Sequence, residues 1–240
     1  GWQLFVVDND DVVAGDCGVG EYFFEPGGVC LLEVSGNTYY VSPDGDDTTG
    51  DGSFVSPWGS FQKAVLESYP GDITYFRGGV YYPTEKMMLI SQSSYGRDGT
   101  PQALIRYYAY PGEQPVFDGG DLAPGELIML KIYSDNLYFK GLEIRNVKQQ
   151  EWEDRPFGVS LLDSFNVTFE QVSSHDIMGR GFHVWDSSDI AFVNVDSYNN
   201  GDPLRDTPGN GGTGWTFGSS KAMDGTITFV GSRSWNCSDG

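Results

Sequence analysis

Residues 127–147 read LIMLKIYSDNLYFKGLEIRNV, and the same phrase returns three times. It recurs at 158–177 (GVSLLDSFNVTFEQVSSHDI), 181–200 (GFHVWDSSDIAFVNVDSYNN) and 214–237 (GWTFGSSKAMDGTITFVGSRSWNC). Each copy holds a short strand, a polar turn with Asp, Ser or Asn, and a second strand of the form apolar-x-Phe. The second strands open near Leu137, Val167, Ile190 and Ile227, at steps of 30, 23 and 37 residues. Repetition on this scale predicts a solenoid. No copy can bury its own apolar face, so each must stack on a neighbour. Strand alternation places Phe139, Phe169, Phe192 and Phe229 inside the coil, since they recur at one place in the phrase.

Working outward, the stretch 58–69 (WGSFQKAVLESY) is the one good helix candidate. Phe61, Ala64, Val65 and Leu66 form an apolar face, Ser60 is a suitable N-cap, and Pro70-Gly71-Asp72 ends the run. A helix before the first rung would cover backbone groups and apolar side chains that otherwise recruit other chains. A strand followed by a turn is expected over 37–47, and strands at 73–76, 80–82, 104–108 and 115–117. Residues 1–36 differ from the rest and read as an N-terminal strand and disulfide segment, with 37–240 as the solenoid domain. Cys17 and Cys30 bracket a Gly-rich loop and are a plausible disulfide, with Cys237 left over. The strand ending at 237 has no cap after it, so the coil is expected to continue or to be covered.

Composition narrows the function. The 240 residues carry a net charge of −20, which repels nucleic-acid phosphate and disfavours that class of partner. No window supplies the ~18 consecutive apolar residues of a membrane span. An acidic surface would meet an acidic polysaccharide only through cations, and Ca²⁺ is the natural mediator because carboxylates are its preferred ligands. Asn166-Val-Thr and Asn236-Cys-Ser are glycosylation sequons.

The residues then show a family likeness. The stretch 39–82 resembles the opening of secreted right-handed parallel β-helix proteins: strand, Gly/Asp-rich loop, capping helix and Pro-Gly-Asp turn. Residues 99–119 (GTPQALIRYYAYPGEQPVFDG) resemble the next rung. The chain is similar to pectate-lyase-like proteins of polysaccharide lyase family 9. That resemblance implies an all-β, right-handed parallel β-helix with an N-terminal capping helix. It also implies an extracellular partner polysaccharide, and cleavage by Ca²⁺-dependent β-elimination. In such a lyase a Lys or Arg takes the C5 proton of a uronate, while Ca²⁺ on a cluster of Asp ligands stabilises the developing carbanion.

Residue by residue, the likeness is uneven. The run 196–203 (DSYNNGDP) resembles the family's approach to its metal site and makes Asp202 a candidate ligand. In the Asp-Gly-Phe stretch that follows, Trp215 stands where the Asp is expected and Ser220 where the Lys is expected, with Lys221 one place along on the opposite face. In 233–240 (RSWNCSDG) a paired Asp-Asp is expected; Asp239 is present and Gly240 fills the second place. The metal candidates are therefore Asp239 and Asp202, and no catalytic base is assigned. These substitutions favour a non-catalytic protein, and a structural solenoid that associates with its own copies or other extracellular proteins is the alternative. Trp152, Trp185, Trp215, Tyr198 and Trp235 are candidate sugar-stacking rings, because pyranoses offer apolar C–H faces. Asp176, Asp186, Asp189, Asp196 and Asp202 recur at turns, as turn formers or as a carboxylate wall able to hold Ca²⁺ or hydroxyl-rich sugar. His175 and His183 lack the spacing of a metal pair. The loop 201–214 is a long insertion where binding residues commonly gather.

Overall fold

The structure is a computed structural model that describes residues 3–7, 21–24, 29–32, 36–91, 95–205, 207, 211–220 and 225–238, with side chains from residue 36 onward. Its strands wind into a parallel β-helix. In the rung formed by the third copy, Arg180–Trp185 joins a five-stranded sheet and Ser188–Val193 an eight-stranded sheet. Asp196–Tyr198 then joins a six-stranded sheet. Every pairing between successive rungs is parallel, and Leu137, Val167, Ile190 and Ile227 are register partners in consecutive rungs. The four second-strand starts of the repeated phrase thus lie one above another.

Inside the eight-stranded sheet, rings pile along the axis. Tyr107 stacks on Phe139 at 5.4 Å, Phe139 on Phe169 at 5.0 Å, Phe169 on Phe192 at 5.5 Å and Phe192 on Phe229 at 4.9 Å. The first four are buried, and Phe229 packs against them at the last rung. Each such contact adds about 0.5–1.5 kcal/mol beyond the area it removes from water.

The corners explain the polar turns. Asn136, Asn166 and Asp189 hold φ of 58°, 55° and 55° at one corner; Asn146, Asp176, Asn199 and Asn236 hold 65°, 53°, 54° and 52° at another. Asn and Asp tolerate this left-handed backbone better than other side-chain-bearing residues. The rungs also lock through glycine. A Cβ on Gly181 would sit 2.0 Å from Ser197 Oγ, and Gly158 and Gly214 face Ser174 and Ser234 in the same way. Ser197 Oγ uses that closeness to donate to the Gly214 carbonyl at 3.0 Å.

Several details differ from the sequence reading. The helix is Phe61–Glu67, capped by Ser60, whose hydroxyl accepts from the Lys63 amide at 3.1 Å. Trp58 lies outside it, buried and stacked on Tyr39 at 4.7 Å. Phe61 reaches Phe76 at 5.4 Å, so the helix covers the first rung's interior as expected. The strand Met87–Ile90 was not foreseen. Neither were the third strands of the phrases, Glu143–Arg145, Ser173–His175, Asp196–Tyr198 and Arg233–Trp235. Each has three residues and one inward side chain, too short to display an alternating pattern. In the N-terminal segment, Glu21–Phe24 and Val29–Leu32 form an antiparallel hairpin, and Gln3–Val7 pairs in parallel with Thr226–Val230 at the edge of the eight-stranded sheet.

Candidate functional site

On the six-stranded sheet, one inward residue per three-residue strand leaves two outward positions. In the outer row nearest the next corner, register aligns Asp118, Arg145, His175, Tyr198 and Trp235. His175 stacks on Tyr198 at 4.4 Å with planes 5° apart, and Tyr198 on Trp235 at 4.4 Å and 6°. The neighbouring row carries Glu143, Ser173, Asp196 and Arg233. Both His175 nitrogens have carboxylate partners: Nδ1 lies 2.7 Å from Asp176 and Nε2 3.3 Å from Glu143. Arg145 donates from Nε to Asp118 at 2.8 Å and from Nη1 to Glu143 at 3.1 Å. Burial alone would raise the Asp118 carboxyl. The bonds from Arg145, Gly120 and Asn146 outweigh it and hold the group below its usual range. Arg233 grips Asp196 through two bonds of 2.9 and 2.7 Å. This face is an ordered set of paired charges.

The stacking settles how the ring candidates can act. Tyr198 has His175 on one face and Trp235 on the other, so it offers a sugar only its edge. Trp235, 43 % exposed, has one face on Tyr198, and the Arg233 guanidinium lies 5.4 Å from its ring centre. Trp215 is elsewhere. It is the register partner of Phe182, an inward residue, and packs against Phe182, Phe192 and Phe229. That inward register removes it both from sugar stacking and from a ligand position on the outer face. Trp185 lies outward at the end of its strand on the five-stranded sheet, 39 % exposed. Trp152 is also exposed, away from these rows.

Asp202 is buried at the start of the 201–214 loop. Its Oδ2 lies 3.6 Å from Arg205 Nε, and its Oδ1 accepts from Ser238 Oγ at 3.5 Å. Asp239 lies outside the described residues, as does Lys221. Among the described residues no three carboxylate or imidazole groups converge as metal ligands. A single carboxylate facing a guanidinium does not make a Ca²⁺ site, which takes ~6–8 oxygens. Ser220, where the family comparison expects a Lys, serves a neighbour instead. Its amide and hydroxyl each donate to Asp186 at 2.6 Å, beside Ser219 Oγ at 2.7 Å.

The remaining candidates fall into structural roles or outside view. Asn166 donates from Nδ2 to Asn136 at 2.8 Å, and Asn236 from Nδ2 to Asn199 at 2.6 Å, so both sequon nitrogens are held in corner stacks. Cys17 lies outside the described residues and nothing is described of the Cys30 side chain; Cys237 is a free thiol. Sequence reasoning missed an outward tyrosine cluster on the eight-stranded sheet. Tyr40 stacks on Tyr75 at 5.9 Å, Tyr108 meets Tyr138 edge-on at 5.4 Å, and Arg77 lies between Phe54 and Tyr110. The Tyr-Tyr pairs at 39–40 and 107–108 were the available signal, since alternation sends one ring of each pair outward.

A coil of parallel three-strand rungs, with a capping helix and an outer face of paired charges, now meets known proteins. Residues 39–240 match the family described as "Pel9A-like, right handed beta helix region". The chain belongs to this family. Over 203 residues, 82% of the chain, it is 32% identical to the pectate lyase PEL9 of Emericella nidulans, covering 47% of that protein. It is 27% identical to pectate lyase L of Dickeya dadantii over 244 residues, covering 98% of this chain and 52% of that protein. The chain thus spans about half the length of these curated relatives. Among solved structures, a rhamnogalacturonan lyase superposes with a TM-score of 0.73 at 26% identity, over 83% of this chain and 52% of that one. No described helix is long and apolar enough to cross a membrane.

Proposed function

We propose that this chain is the polysaccharide-binding part of an extracellular Pel9A-like β-helix protein, taking an acidic polysaccharide along its outer face. The supporting observation is the family match over 39–240, together with relatives that are named pectate and rhamnogalacturonan lyases. In this reading Trp235 contributes its outer ring face, and Asp202 and Asp239 are the candidate carboxylates for a bridging cation. Ca²⁺ enters the proposal as a bridge between acidic surface and acidic glycan. Elimination would require further ligands and a base beyond those the described residues supply.

The test is direct. Incubation with polygalacturonate and Ca²⁺ is followed by ultraviolet absorbance of the unsaturated product, alongside calorimetric binding of hexagalacturonate. Binding with a flat absorbance trace is the expected result. Rising absorbance would convert the reading to a lyase, and absence of both signals would overturn it. The second reading is a structural solenoid, favoured by the commitment of Ser219 and Ser220 to Asp186 in place of a catalytic Lys. Regular filaments or oligomers by electron microscopy would support it.

A further inference from the structure

We propose that Tyr108 and Tyr138, in contact on the outer face of the eight-stranded sheet, are a site of oxidative modification. A one-electron oxidant joins the two phenols into a dityrosine bridge between consecutive rungs, with Glu170 as the proton acceptor. The inference stands apart from the polysaccharide-binding reading and survives its failure.

Register places Tyr40, Tyr75, Tyr108 and Lys140 in one outward row of successive rungs, and Tyr138 lies two residues before Lys140 on the same face. Tyr138 meets Tyr108 edge-on at 5.4 Å. Tyr75 touches Tyr108 at 6.3 Å, Tyr110 at 5.9 Å and Tyr40 at 5.9 Å. Five phenol rings thus form one continuous cluster, each of them partly exposed. Tyr138 has a further feature. Its hydroxyl donates to Oε2 of Glu170, whose Oε1 lies 2.8 Å from Lys140 Nζ. Burial and then that bond raise the pKa of the Tyr138 phenol. The ring therefore keeps its proton at neutral pH, in a bond aimed at a carboxylate.

That arrangement decides where oxidation settles. A phenol loses its electron and its proton together, so a ring with a proton acceptor already in place is the easier to oxidise. An electron withdrawn from any ring of the cluster is replaced from Tyr138 through the ring contacts, while the Tyr138 proton passes to Glu170. A second oxidation, at Tyr108, leaves a neighbouring phenoxyl and releases its proton to water. The two phenoxyls join through the carbons beside their oxygens. Each joined carbon then gives up its hydrogen and each oxygen regains one, which restores two phenols. With hydrogen peroxide and a haem peroxidase as the oxidant, two tyrosines and one peroxide give one bridged pair and two waters. Contact rather than exposure selects this pair. Tyr69, Tyr82 and Tyr95 are the more exposed rings, and coupling governed by exposure would run through them.

The experiment treats the dilute full chain with a haem peroxidase and hydrogen peroxide, and maps the products by peptide mass spectrometry. Wild type is expected to lose two hydrogen atoms from its intact mass, to gain dityrosine fluorescence, and to yield a bridge between Tyr108 and Tyr138 as its main product within one chain. Tyr108→Phe and Tyr138→Phe keep a ring in place and should each abolish that bridge. Glu170→Gln leaves an oxygen for the Tyr138 hydroxyl but removes the base, and should slow bridge formation at least tenfold. Glu170→Asp, which draws the carboxylate away from the phenol, carries the same expectation should Glu170→Gln not fold, with circular dichroism as the check. A wild-type map without the bridge, or one led by bridges through Tyr69, Tyr82 or Tyr95, would overturn the proposal whether or not any variant folds. So would a rate of bridge formation unchanged in the folded Glu170 variant.

Discussion

Two ring ladders run along this coil, one inside and one outside. Tyr107, Phe139, Phe169, Phe192 and Phe229 stack in the interior at 4.9–5.5 Å, while His175, Tyr198 and Trp235 stack on the surface at 4.4 Å. The outer ladder is the more closely spaced, yet it is the weaker contributor to stability. Both arise from parallel register, which repeats a position once per rung. The inner one takes four rings fully out of water, whereas in the outer one Tyr198 and Trp235 stay partly exposed, and the hydrophobic gain follows the area removed. The spacing of rings therefore reports register, and burial reports energy.

Substitutions sharpen that contrast. Phe169→Ala opens a cavity between Phe139 and Phe192 and should cost about 3–5 kcal/mol in urea denaturation. Gly181→Ala drives a methyl into Ser197 Oγ, at a cost of about 1–3 kcal/mol as overpacking. Tyr198→Ala removes an outer ring between two others and should cost only about 1 kcal/mol. A loss equal to that of Phe169→Ala would break the comparison. A separate, pH-dependent effect is expected from His183, whose folded pKa of about 4 lies below its ordinary 6.5. The unfolded chain therefore binds its proton first as pH falls. Stability from this residue is complete above about 6.5 and declines toward about 4. Unfolding midpoints across that range should show a shallower decline in His183→Gln.

The sequence carried the fold because the coil's axis is written in aligned positions. Leu137, Val167, Ile190 and Ile227 could be matched by eye, and they are register partners. The three-residue strands escaped notice because one inward Ile144, Ser174, Ser197 or Ser234 makes no periodic pattern. The site was less legible for a related reason. Trp215 looks like an exposed ring in an irregular stretch, and only its pairing with Phe182 shows that it points inward. Tyr198 was identified as an outer ring, but that its faces are covered depends on rungs 23 and 37 residues away. Trp185 could be singled out from sequence, whereas the close approach of its ring to Gly218 depends on the register between rungs.

The 201–214 corner has one further consequence. The chain leaves the coil after Asn200 and returns at Gly214, and both ends are pinned. The Gly201 amide donates to the Ile177 carbonyl at 2.9 Å, and the Gly214 carbonyl accepts from Ser197 at 3.0 Å. With its ends fixed by the rung beneath, doubling the length of this excursion costs only about 0.6 kcal/mol in closure entropy. The corner is thus a ready graft point, where foreign sequence can be spliced in while the spool it hangs from keeps its pitch.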